Sequence, residues 1–242
     1  MINRQIFFTS LGEAELLRRE VPEIGVDELL IMMEYTVISS GTERDNLLGR
    51  PNTNLKFPIA LGYCGVGYVQ RKGEAVHDID VNDRVLVYHG YHADYCIKKS
   101  NELIKVEDEK INSLEAAFVI IAAISLGGLR KTRLELGESI LIMGQGLLGI
   151  FATQLARLAG GLPVITADLH ECRRKLSLEL GADASFSPKD VDFSDRVKEA
   201  VGGDGVNTVI ESSGASIAIK QGLECCAPLA RMSLLGCTRG SD

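Results

Sequence analysis

The chain has no tryptophan, and only 5% of its 242 residues are aromatic. It has no basic block, and its net charge is -7. A nucleic-acid partner is therefore not expected, because phosphate backbones are bound by clustered Lys and Arg. It lacks a long hydrophobic run: the most apolar stretch, Ala116 to Ala123, is well short of a membrane span. The opening Met1 to Phe8 is too short and polar for a secretory signal. The cysteines, at 64, 96, 172, 225, 226 and 237, do not form a spaced framework. They read as reduced thiols in a cytoplasmic protein, with the Cys225-Cys226 pair as small buried hydrophobes. What remains is a chain with 45% hydrophobic residues, enough for a sizeable core, and 24% charged residues to solvate it.

Two periodicities divide the chain. Up to about residue 111 it reads as short strands, such as Leu29 to Met33, Gly65 to Val69 and Arg84 to Tyr88. Turn signals at Val21-Pro22, Arg50-Pro51-Asn52 and Val81-Asn82-Asp83 separate them, which suggests a small antiparallel barrel or sandwich. From Asn112, a helix cap with Glu115 three residues on, an apolar helix is expected to run to Leu129, buried between layers. Strand and helix then alternate. Strands are expected at 139–143, 163–167, 207–210 and 231–235, and helices at 147–158, 172–180 and 217–226. That rhythm implies a parallel sheet covered on both faces. The domains are expected to be 1–111 and 112–242.

The sharpest motif is Gly144-Gln145-Gly146-Leu147-Leu148-Gly149. Alone, this spacing is weak. Here the apolar strand Ile140 to Met143 leads into it and a helix-forming run, Ile150 to Ala156, follows it. In such a loop the first glycine permits the sharp turn, the second lets the backbone approach a pyrophosphate, and the third lets helix and strand pack closely. The helix N-terminus, starting at Leu147 and Leu148, offers free N–H groups to phosphate. Asp168 closes the second strand about twenty residues beyond the loop, where an acid receives the adenosine ribose hydroxyls and repels a 2′-phosphate. NAD is therefore favoured over NADP. Arg173 and Arg174 temper that preference, since a guanidinium there could neutralise a phosphate.

Three further segments carry a family resemblance. Phe57-Pro58-Ile59-Ala60-Leu61-Gly62-Tyr63-Cys64-Gly65-Val66-Gly67 resembles the glycine-rich segment of the medium-chain dehydrogenase/reductases, the alcohol-dehydrogenase-like superfamily. Val81-Asn82-Asp83-Arg84-Val85 resembles its G-D-R-V turn, and His92-Ala93-Asp94-Tyr95 its H-A-E-Y strand. The resemblance spans nearly the whole chain. It implies an α/β protein in which an N-terminal GroES-like β-barrel, the substrate domain, precedes a Rossmann doubly wound parallel sheet. At the positions where zinc members of the superfamily bind catalytic metal, this chain has Ser40, Tyr63 and, approximately, Val119. None suits zinc. The superfamily's cysteine-rich structural lobe is absent between Asp83 and Asn112. The resemblance thus implies a zinc-independent branch. Ser39 to Glu43 and the Gly-Tyr segment resemble most a bacterial subgroup labelled zinc-binding dehydrogenase. Cys64, His89, His92 and Cys96 are chemically suited to a metal, but His89 and Cys96 need not share a strand face, and structural or pocket-lining roles are expected for them.

The implied activity is NAD(H)-dependent hydride transfer with a small carbonyl, alcohol or sugar-like substrate. Without metal, a hydroxyl or imidazole must polarise that substrate. By resemblance, Thr42 stands near the nicotinamide, Tyr63 replaces the metal-binding His, His89 lines the cleft, and Glu43 takes the acidic position beside Thr42. Structural hydrogen bonding is the alternative for each. Ser212, Ser213 and Gly236, with Cys237, are expected beside the glycine loop at the strand ends, and Thr42, Tyr63 and His89 on the facing wall. Superfamily members continue beyond the point where this sequence stops, with a last strand that commonly makes the dimer contact. A truncated or short form is therefore expected, and the assembly implied is a homodimer whose usual strand is missing. The competing reading is an NAD-binding protein without turnover, a degenerate remnant or a redox sensor. A third is a chaperonin-like binding module suggested by the barrel alone.

Overall fold

The computed structural model describes residues 1–238. The chain divides into two compact units, Met1–Ile120 and Ile121–Asp242. The expected boundary after residue 111 falls earlier, because the helix that begins at Ser113 packs on the strands of the first unit.

The first unit runs β1 (Ile2–Ser10), β2 (Glu13–Glu20), β3 (Glu28–Val37), α1 (Ser40–Leu47), β4 (Ile59–Ala60), β5 (Cys64–Lys72), β6 (Arg84–Tyr88), β7 (Tyr95–Lys99), β8 (Leu103–Lys105) and α2 (Ser113–Ala117). The strands pair antiparallel in two sheets, of order β2-β1-β4 and β7-β3-β5-β6-β8, curled as in a GroES-like domain. Alternation along the larger sheet buries Leu29, Ile31, Val69, Val85 and Val87 in one core. Asn112 caps α2 in the expected capping box, its side chain accepting from the Glu115 amide at 2.9 Å.

The single helix expected from Asn112 to Leu129 is instead two. Phe118 ends α2, and α3 (Val119–Thr132) begins after it. Although α3 is apolar nearly all round, it buries one face, Ile121, Ser125, Gly128, Leu129 and Thr132, and leaves Val119 and Leu126 exposed.

In the second unit β9 (Ile140–Met143), α4 (Leu147–Leu158), β10 (Val164–Ala167), α5 (Glu171–Glu179), β11 (Ala184–Phe186), α6 (Phe193–Ala200), β12 (Val206–Glu211), α7 (Ser216–Glu224) and β13 (Cys226–Leu234) follow. The five strands form one parallel sheet of order β11-β10-β9-β12-β13, a Rossmann arrangement. Leu141 and Met143 join one core and Ile140 and Ile142 another, as a sheet covered on both faces requires. The strand order reverses between β9 and β12, which places a ligand crevice at the carboxyl ends of those strands. Among the described residues no helix is long and apolar enough to cross a membrane.

All six cysteines are free. Burial pushes the Cys64 thiol up to about 11 and those of Cys96 and Cys225 up to about 12, whereas Cys172 and Cys237 are exposed. Since the thiolate is the reactive form, a thiol-alkylating reagent should modify Cys172 and Cys237 first in the native protein, as read by peptide mapping. Labelling of Cys64 or Cys225 at the same rate would contradict this packing.

Candidate functional site

The second unit carries its functional groups at the strand ends. β9 leads into Gly144 (φ +89°), a conformation that side chains disfavour. A β-carbon on Gly149 would lie 1.8 Å from the Gly144 carbonyl oxygen, so only glycine lets α4 approach β9. Gly146, the residue preceding α4, has open space where its β-carbon would be. The loop thus packs inward at its first and third glycines and leaves room at its second. The first-turn N–H groups of α4 have no partners within the helix and carry the positive end of its dipole.

The loop's carbonyls are held on the inner side. Gln145 has no solvent exposure, and its Nε2 donates to the Gly144 carbonyl at 3.2 Å and that of Ile142 at 3.4 Å. Its Oε1 accepts from the Thr153 hydroxyl at 3.0 Å. The Ser212 hydroxyl sits between the carbonyls of Met143 and Gly144, 3.0 Å from each. Ser212 therefore braces the loop. The Ser213 hydroxyl is engaged with Glu211.

Asp168 follows β10 and is 6% exposed. Its carboxylate accepts from the Gln145 amide at 2.7 Å and the His170 amide at 2.8 Å, which ties the end of β10 to the glycine loop. A carboxylate has about four lone-pair sites, so capacity remains. The Arg173 guanidinium lies 3.7 Å from it, and that of Arg174 donates to the Asp168 carbonyl at 2.8 Å. Beside Asp168 opens a cavity of about 190 Å³, lined by Gly144, His170, Arg173, Ile217 and Gln221 among others.

In the first unit Tyr63 and His89 come together. The Tyr63 ring stands edge-on to Tyr88 and His89, with centroids at 5.7 and 5.8 Å, and His89 lies 3.9 Å from Tyr88. The His89 amide donates to the Tyr63 carbonyl at 2.8 Å, and His89 itself adopts φ +50°. Burial, and then the hydrogen bond to Tyr88, push the Tyr63 phenol up to about 12.

Thr42 is half-buried on α1. Its neighbour Glu43 turns inward, 8% exposed, and both its oxygens are engaged: one accepts the Ser39 amide at 2.7 Å, the other meets His92 Nε2 at 2.9 Å. His92 Nδ1 lies 2.8 Å from the Thr36 hydroxyl. Glu43 and His92 therefore pin α1 to β3 and to the segment before β7. The other metal-competent side chains are also spread out: the Cys64 thiol donates to the Ala117 carbonyl and that of Cys96 to Met33 Sδ. Among the described residues no group of three or more His, Cys, Asp or Glu is placed to hold a metal ion.

Sequence reasoning did not single out Gln145 and Thr153 as loop braces, nor Tyr88 or Glu211. Two signals were available: an amide between two loop glycines, and an acid closing the apolar strand Val206 to Ile210.

A sequence family described as zinc-binding dehydrogenase matches residues 148–242. Over 255 aligned positions the chain is 30% identical to an L-threonine 3-dehydrogenase of Thermococcus kodakarensis, covering 92% of this chain and 72% of that one. The chain belongs to the medium-chain dehydrogenase/reductase superfamily. Of solved members, a Sinorhizobium meliloti 1021 protein assigned as a zinc-binding dehydrogenase and bound to NADP superposes with a TM-score of 0.89 at 26% identity, over 100% of this chain and 79% of that one. The benzyl alcohol dehydrogenase of Acinetobacter calcoaceticus shares the fold, with a TM-score of 0.90 at 20% identity over the same shares. As a member of this superfamily the chain is a dehydrogenase-like oxidoreductase by descent, and none of the three residues that resemblance places at its metal positions is a thiolate, imidazole or carboxylate. Ser40 is exposed at the start of α1, Tyr63 belongs to the aromatic trio, and Val119 is 41% exposed at the start of α3.

Two outcomes follow from this geometry. Gly149→Ala should lower stability by about 1–3 kcal/mol, the usual penalty for forcing atoms into a packed site; an unchanged denaturation midpoint would contradict the contact with Gly144. Because the folded-state value of Tyr63 is raised, its contribution to stability is present below pH 10 and lost as pH rises to about 12. Tyr63→Phe should therefore flatten the fall in stability across that window, and an identical alkaline profile would count against the burial of the phenol.

Proposed function

We propose that this chain is an NAD(H)-dependent oxidoreductase that moves a hydride between the cofactor and a small carbonyl, alcohol or sugar-like substrate without catalytic zinc. The observation that carries the reading is the glycine loop, closed at Gly144 and Gly149 and open at Gly146. The residues fit a dinucleotide. The amides of Gly146, Leu147 and Leu148 would bind the pyrophosphate, Asp168 the adenosine ribose, and the cavity beside it the adenine. The nicotinamide supplies or takes the hydride. The six unpaired cysteines accord with a reducing, cytoplasmic setting.

Tyr63 is the group we assign to hold and give the substrate proton. Its phenol stays protonated through neutral and mildly alkaline pH, so it can donate to a carbonyl oxygen on which charge develops. His89, against Tyr88 and beside Tyr63, completes the polar edge. Glu43 and His92 act by holding α1, and with it Thr42, in place. The alternative is nucleotide binding without turnover, favoured by Ser40, Tyr63 and Val119 at the three metal positions. Steady-state assays on alcohols, aldehydes and sugars distinguish the two once NADH binding is established. In an active enzyme Tyr63→Phe should lower turnover by about a hundredfold, the usual scale for a general acid, and leave NADH affinity unchanged. Equal turnover would remove Tyr63 from the mechanism.

NAD is the proposed cofactor. The Asp168 carboxylate would repel a 2′-phosphate, and Arg173 and Arg174 are already engaged with Asp168. The relative bound to NADP frames the test. In fluorescence titration NADH should bind about tenfold or more tighter than NADPH, a difference of about 1.4 kcal/mol. Equal affinity would show that the two arginines turn to the phosphate. Elemental analysis of the purified protein should find no stoichiometric zinc, and one zinc per chain would overturn the metal-free mechanism.

A further inference from the structure

Glu211 ends β12 with no solvent exposure, in register with Met143 of β9 and Leu234 of β13. A buried carboxylate at the end of a central strand is unfavourable unless donors surround it. Here they do. Oε1 accepts from the Ser213 amide at 2.7 Å and the Ser213 hydroxyl at 2.5 Å, and both oxygens lie 3.1 Å from the Gly214 amide. All these donors are neutral and belong to one loop, 212–214. The main-chain carbonyl of Glu211 accepts from the amides of Leu235 and Gly236 at 2.7 and 2.9 Å. One residue thus fastens two loops.

Those loops also touch each other. A β-carbon on Gly236 would lie 2.3 Å from the Gly214 nitrogen and 2.9 Å from Glu211 Oε2, and one on Gly214 (φ +73°) 2.3 Å from the Cys237 carbonyl oxygen. Loop 212–214 abuts the phosphate loop as well, since a β-carbon on Gly144 would lie 3.2 Å from the Ser213 nitrogen. The proposed dinucleotide reading, on which this inference rests, puts the adenosine half toward Asp168 at the end of β10. The nicotinamide half then falls on the other side of the phosphate loop, at the ends of β12 and β13. We infer that Glu211 is a positioning residue for the nicotinamide half of the cofactor: its carboxylate folds loop 212–214 over the strand end and its carbonyl holds loop 235–237 beside it, so that both present one fixed edge to that half.

The carboxylate is acceptor-only, and its Oε2 shares the Gly214 N–H with Oε1. Glutamine has nearly the same volume but only one acceptor oxygen, and its amide would turn a donor toward the loop N–H groups. Calorimetric titration with NADH and with ADP, which carries the adenosine half alone, separates this role from general stability. Glu211→Gln should weaken NADH about tenfold, the scale of a lost hydrogen bond to a charged group, and leave ADP affinity within about twofold, well under that loss. Hydrogen exchange should quicken at the amides of Ser213 and Gly214, which donate to the side chain, and not at Leu235 and Gly236, which donate to the main-chain carbonyl. Ser213→Ala removes one donor and keeps the carboxylate, so it should shift the NADH-to-ADP affinity ratio in the same direction by a smaller factor; it carries the test if Glu211→Gln does not fold. An unchanged ratio in the variants, or equal loss of both ligands, overturns the inference. A wild-type chain that binds neither NADH nor ADP overturns the proposed function and this inference together.

Discussion

The second unit is organised around the contact between Gly149 and the carbonyl of Gly144. With α4 pressed onto the end of β9, the turn between them must spend its carbonyls inward, where Gln145 and Ser212 receive them. The N–H groups at the start of α4 are left on the outer side. Neither feature arises from a glycine count alone. The positive φ at Gly144, the absent β-carbon at Gly149 and the open space at Gly146 together make a tight turn that is closed on its inner side and open at its middle glycine.

The neighbouring strands repeat one device on each side of that turn. β10 is followed by Asp168 and β12 ends at Glu211, and each buried carboxylate accepts main-chain N–H groups from adjoining loops. Asp168 reaches the glycine loop directly, and Glu211 reaches the two loops beyond it. Hydrogen-bonded carboxylates of this kind order a loop without closing it, since a single acceptor group satisfies several donors. In the first unit the Glu43–His92–Thr36 chain does the same for the start of α1, while Tyr63, Tyr88 and His89 group their rings apart from it.

Much of this was legible in the sequence where one physical signal dominated. The glycine spacing between an apolar strand and a helix located the loop, and α4 spans the expected residues 147–158. The strand Arg84–Tyr88 was legible from its turn signals and β-branched residues. Weak signals were missed. α6 buries only Phe193 and Val197 on an otherwise polar helix, and β11 is three residues of edge strand. α2 packs on β3 and β5 and ends at Phe118, a break that a continuous apolar run conceals. Thr42, Tyr63, His89 and Glu43 came from resemblance, and only tertiary structure separates the inward Glu43 from the aromatic pair. The partners of Gln145 and Glu211 lie on other turns and strands, so their roles are invisible to local pattern.

In the proposed function the loop between β9 and α4 binds a dinucleotide pyrophosphate through its amides. Amide chemical shifts of isotope-labelled protein, followed as NADH is added, test it most directly. The largest changes should fall on Gly146, Leu147 and Leu148, accompanied by Asp168 on one side and Ser213 and Gly236 on the other. Saturable binding that leaves Gly146 to Leu148 unmoved, with changes elsewhere on the chain, would contradict it.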